Sequence, residues 1–191
     1  MHRKRPDSQV RREIREFNRE FLELLCADAS PGTAYGLALP VRQRLRVLNP
    51  AQLEGLADTP CLLAGFAVLP PRVLPRGVAD APVTGPRAAE AEAVRLFAAS
   101  LLVWLWHTAR RDRLLAALCV GPGSGGVELL SSAGFRDLQR AAAGATECLE
   151  ARFCRHPRVW PDLVRAAAGA HPEVLAAARL SIVQLTLISR T

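Results

Sequence analysis

Leu24-Leu25-Cys26, then Leu53-Glu54-Gly55-Leu56-Ala57, then Cys61-Leu62 and Phe66, form a phrase that the chain states twice. The second statement runs Ala117-Leu118-Cys119, Leu138-Gln139-Arg140-Ala141-Ala142, Cys148-Leu149 and Phe153. Each copy has a loop between its first two parts, turn-rich in one and Gly-rich in the other. A repeated helical unit implies a pair of related modules rather than one catalytic domain. Composition points the same way. Half of the residues are hydrophobic and only 5% aromatic, so Leu, Ala and Val must build the core. Leu and Ala favour helices, whereas strand-rich chains lean on β-branched and aromatic residues. The expected fold is therefore all-α: two related small helical modules joined by a Pro-rich linker and packed as a helical bundle.

Punctuation along the chain sets the expected boundaries. Residues 1–9 read as a disordered basic leader, 10–68 as the first module, 69–87 as the linker and 88–191 as the second module. The linker reading rests on Pro70, Pro71, Pro75, Pro82 and Pro86 with Gly77 and Gly85. Ile14, Phe17, Phe21, Leu24 and Leu25 mark one stripe of a first helix from Val10 to Ala27. Asn49-Pro50 is a helix start, with Asn as the cap and Pro at the first helical position. Cys61 to Phe66 is an apolar run compatible with a short helix or a strand. Ala88 to Cys119 reads as the longest helix, with a wetter turn at Arg110–Arg113. Shorter helices are expected at Val127–Ser132 and Phe135–Ala143. A last helix runs from Glu173 to about Ile188, with Val174, Leu175, Leu180, Val183 and Leu187 facing inward.

The chain of 191 residues carries a net charge of +7, and its pI is about 10.1. That sign favours anionic partners and makes nucleic acid a candidate. Lys4 is the only lysine, so the positive charge is almost all Arg. The five cysteines, Cys26, Cys61, Cys119, Cys148 and Cys154, are odd in number and lack C-x-x-C spacing. That argues against a disulfide framework and a zinc site, and reads the cysteines as small buried hydrophobes. The longest apolar stretch, Leu96 to Trp106, is far short of the roughly 20 residues a membrane span needs. The expectations are no membrane span, no signal peptide and a cytoplasmic location.

No catalytic constellation survives inspection of its chemistry. Gly121-x-Gly123-x-x-Gly126 matches a dinucleotide fingerprint in letters, but that motif needs a strand before it, and a helical pattern precedes it here. His2, His107, His156 and His171 form no metal-ligand spacing. No catalytic, cofactor-binding or metal-binding residue is assigned, no cofactor is expected, and the chain is read as a non-enzyme. One segment, Phe153 to Trp160, interleaves aromatics with basic residues as contact surfaces do. Its Arg152, Arg155, His156, Arg158 and Trp160 are the candidate contact surface.

Residues 13–66 resemble the D subunit of the flagellar master transcriptional activator of proteobacteria. The matching points are Glu13-Ile14, Asn18 ahead of the Phe21–Leu25 run, the Tyr35-Gly36-Leu37 turn, the Leu48–Leu56 segment with Pro50, Gln52 and Leu53, and the Cys61–Phe66 run. The resemblance implies an all-helical fold, dimerisation through helices and action in transcription with a partner subunit. The 69–87 segment and the second module have no counterpart in that pattern, and no base-reading residue carries over. The expected function is a regulatory protein-interaction module that works through a protein partner or self-association by apolar helix faces, with DNA as a further candidate. The alternative is a non-enzymatic accessory or assembly protein of a motility or secretion system that binds no DNA.

Overall fold

Proline decides where many of the helices begin. In the computed structural model, which describes residues 6–28, 34–69, 86–121, 125–169 and 171–188, α1 (Pro6–Ala27), α3 (Pro50–Ala57), α4 (Pro86–Arg111) and α10 (Pro172–Ile188) all open on a proline. In α2 (Leu39–Arg46) a proline is second. A first-turn residue has no intrahelical partner for its N–H, so proline loses nothing there. Asn49 completes the start of α3 as a reciprocal cap. Its Oδ1 accepts from Gln52 N at 2.9 Å, and its own N–H donates to Gln52 Oε1 at 2.9 Å.

The remaining helices are α5 (Arg113–Val120), α6 (Gly126–Ser132), α7 (Phe135–Ala143), α8 (Ala145–Cys148) and α9 (Val159–Ala168). The fold is all-α, a helical bundle. Among the described residues its one sheet has two short strands, β1 (Ala64–Phe66) and β2 (Leu149–Ala151). The long apolar helix expected from Ala88 to Cys119 is broken once, at Asp112. Its side chain accepts from Leu115 N at 2.9 Å and starts α5.

The chain divides into two compact units. One is formed by residues up to Ala64 together with Ala151–Leu187, the other by Gly65–Glu150. These are not the modules 10–68 and 88–191. The reason is α9, which packs on α2 and α3 and so carries the C-terminal part of the chain into the first unit. The chain passes between units within its two paired strands. Two ends also differ from expectation: α1 reaches back to Pro6, into the stretch read as a leader, and α4 begins at Pro86, inside the stretch read as a linker. Residues 70–85 lie outside the described residues.

In the first unit, α1 lies against α2 and α3. Phe21, Leu22, Leu25, Leu45, Leu56 and Trp160 are among its fully buried side chains. Asn18, in the middle of α1, is buried with them. Its Nδ2 donates to the carbonyls of Ala57, Thr59 and Cys61 at 3.0–3.1 Å, and its Oδ1 accepts from Leu63 N at 2.8 Å. One amide thus satisfies the irregular backbone between α3 and β1. Two arginines of α2 close the C-terminal end of α1: Arg46 Nε donates to Cys26 O at 3.0 Å, and buried Arg42 Nη1 donates to Asp28 O at 3.1 Å. Both positions suit the negative end of a helix.

In the second unit, α4 is the central element and packs against α5, α6, α7 and α8. Phe97, Ala98, Leu101, Leu102 and Leu105 form its buried stripe.

The strand register connects with the repeated phrase. Ala67 N donates to Cys148 O and Arg152 N to Leu63 O, each at 2.8 Å, so β1 and β2 run antiparallel with Ala64 opposite Ala151. The phrase aligns Cys61-Leu62 with Cys148-Leu149 and Phe66 with Phe153, which makes Ala151 the counterpart of Ala64. The local two-fold of this ladder therefore falls on a pair of residues that the repeat itself relates. Both alanines are fully buried. The apolar run that was compatible with helix or strand ends in a strand in both copies.

Candidate functional site

The turn after β2 splits the five candidate contact residues into two groups. Arg152 and Trp160 are buried, 9% and 2% exposed. Arg152 N bonds to Leu63 O, its guanidinium lies over the Phe153 ring at 4.9 Å, and its carbonyl accepts from Trp160 Nε1 at 2.7 Å. These two residues hold the turn and are no part of a contact surface, which corrects the sequence expectation. The alternation of aromatics with arginines in this segment reflects one arginine and one tryptophan packing inward, rather than a row of exposed stacking groups. Phe153 adopts a left-handed φ of 59°, which turns the chain outward. Arg155, His156 and Arg158 are exposed beyond it.

His156 and Arg158 open onto a trough of about 550 Å³ between α9 and α10. Val159, Leu163 and Ala166 form its α9 wall, and Val174, Ala178 and Ile182 its α10 wall. Small residues at Ala166, Gly169, Ala177 and Ala178 leave the space open. Arg165 is engaged by Asp162 at 3.1 Å, and His171 Nδ1 lies 3.1 Å from Glu173 Oε1. Arg155 and Arg158 form no ion pair among the described residues. Ser181, also in the lining, directs its hydroxyl to Ala177 O in its own helix at 3.1 Å.

Helix α10 explains why the trough is apolar. Glu173 and Arg179 are its only charged residues. Arg179 is turned away from the trough toward α3, where it bonds to Gly55 O and, at 3.5 Å, to Asp58 Oδ2. The approach is close: a Cβ on Gly55 would lie 3.1 Å from Leu175 Cδ2. Ile182 and Thr186 are buried, while Val174, Leu180 and Leu187 are 51%, 60% and 49% exposed. The last three were expected to face inward. A helix that is apolar on every side has no polar face to show which side meets the core. For the same reason the trough had no sequence signal beyond the near absence of charge in α10.

The chemistry of reactive groups is subdued. Burial raises the thiol pKa of Cys26, Cys61 and Cys148 above the ordinary value, which disfavours the thiolate. Among the described residues no group of three or more His, Cys, Asp or Glu side chains could hold a metal ion. The glycine motif starts after helix α5, not after a strand, and Gly126 is the first residue of α6. No helix among the described residues is long and apolar enough to cross a membrane. Compared with family models, curated proteins and solved structures, the chain matches none.

Proposed function

We propose that this chain is a non-enzymatic regulatory protein-interaction module that holds a partner protein against α10. The observation that carries this reading is the exposed apolar surface of α10: Val174, which lines the open trough, and Leu180 and Leu187, which lie on the same helix outside it. Apolar surface of this kind on a helix end-to-end poor in charge marks an interaction site. The likeness of residues 13–66 to the D subunit of a flagellar transcriptional activator supports a place in transcription regulation, in the cytoplasm. The accessory role in a motility or secretion system is the second reading, and it uses the same partner surface. DNA contact has weaker support, because many arginines are spent on carboxylates and carbonyls within the protein, Arg15, Arg42, Arg46 and Arg113 among them.

The test is recovery of a partner by the tagged full chain, alongside the double variant Leu180→Asp, Leu187→Asp. A defined partner recovered by the native chain and lost with the variant supports the reading. A partner retained equally by both contradicts it. Titration with duplex DNA separates the two regulatory versions. Direct DNA action requires an affinity that falls linearly with the logarithm of salt concentration, and absence of affinity at low salt removes it.

A further inference from the structure

We infer that the trough between α9 and α10 takes an acidic amphipathic helix of a partner protein; this rests on the reading of α10 as a partner surface. Shape is the first argument. Both walls are helical, and the α10 wall presents Val174, Ala178, Ile182 and Leu185 at steps of four, four and three residues. That spacing is the one a helix laid along the trough presents in return, so ridges on the incoming helix meet the gaps above Ala177 and Ala178.

Charge decides among occupants. The one carboxylate in the trough lining, Asp162, is engaged by Arg165 at 3.1 Å. Arg158, also in the lining beside His156, is exposed and has no carboxylate partner among the described residues, and Arg155 is exposed on the same turn just outside the lining. The lining therefore carries one positive charge in excess, Arg158 and Arg165 against Asp162, beside an apolar floor. A second copy of this chain would bring the same positive charge to face it, which costs free energy. A nucleic acid would satisfy the positive charge and leave exposed Val174 facing water or phosphate. An amphipathic helix with an apolar stripe flanked by Glu or Asp satisfies both at once. Rim charges of this kind act mainly on association rate and on rejection of wrong partners.

The experiment is a fluorescence anisotropy titration of the full chain with two labelled peptides about as long as α10. Both carry Leu at i, i+3, i+4 and i+7 spacing, with Glu flanks in one and Lys flanks in the other. The expected result is saturable binding of the Glu peptide at least tenfold tighter than the Lys peptide. Arg155→Glu with Arg158→Glu should weaken the Glu peptide roughly tenfold, and higher salt should weaken it as well. Ala178→Trp should abolish binding by filling the trough, with circular dichroism and a thermal melt checking that the variant is folded.

Equal binding of both peptides, or no binding of either, overturns the inference. So does a native dimer that Ala178→Trp converts to monomer in sedimentation velocity, since a second copy would then be the occupant. Displacement of the Glu peptide by a short DNA duplex from the native chain but not from the Arg155→Glu, Arg158→Glu variant overturns it in favour of nucleic acid. If the peptides fail while a partner is still lost with the Leu180→Asp, Leu187→Asp variant, α10 stands as a partner surface and the trough is not its seat, since neither leucine lines it.

Discussion

Asn18 is the side chain on which the first unit depends most for its irregular backbone. It satisfies three carbonyls and one N–H in a place water does not reach. Asn18→Ala should lower unfolding free energy by about 3 kcal/mol in urea titration, because each stranded buried group costs about 1–3 kcal/mol. Asn18→Asp should be at least as damaging at neutral pH, since it replaces the donor with a buried charge. The cysteines give a second check. Cys61, Cys119 and Cys148 are buried and Cys26 and Cys154 are half-buried, so a thiol reagent on the native chain should label Cys154 and Cys26 well before the other three. Urea should equalise all five. The raised thiol pKa of Cys61 has a stability consequence with a definite sign. The unfolded chain releases that proton first, so the contribution is complete below about pH 8.5 and is lost as pH rises through the folded value.

Among the elements, the strand pair and α10 make the most specific demands. Ala64 and Ala151 face each other and are both buried, so Ala64→Leu or Ala151→Leu should each cost about 1–3 kcal/mol by overpacking. The double variant should depart from additivity, as contacting residues do. Arg179 ties α10 to α3 through Gly55 O and Asp58. Arg179→Ala should raise amide exchange in α10 while leaving α1 protected, since α1 is held by its own buried stripe. Gly55→Ala should act in the same direction by pushing on Leu175.

The elements also show what could be read from the sequence and why the rest could not. α3, α6 and α7 were legible to within a residue because Asn49-Pro50, Gly125-Gly126 and Gly134 punctuate them locally. The break at Asp112 was legible as a polar turn in an apolar helix. Strand pairing was not, because β1 and β2 are far apart in sequence and each is three residues long. Of the candidate contact surface, Arg155, His156 and Arg158 were legible as exposed charge beside prolines. Arg152 and Trp160 were not separable from them, since only tertiary contacts show that the indole N–H is spent on the Arg152 carbonyl.

For the intact chain, the positive charge and the apolar C-terminal helix lead to different expectations. A net charge of +7 acting alone would give only weak, sequence-independent DNA association that fades with salt. The proposed partner binding at α10 would depend on apolar area, so moderate salt should weaken its charged contribution and leave the apolar contact in place. The most direct measurement places a photo-crosslinking amino acid at Leu180 in the full chain, inside cells, with exposed Arg136 of α7 as the control position. A discrete protein crosslinked from Leu180 and absent from Arg136 is the expected outcome. Crosslinks equal at both positions, or none from Leu180, would contradict the assignment of α10 as the surface through which this protein works.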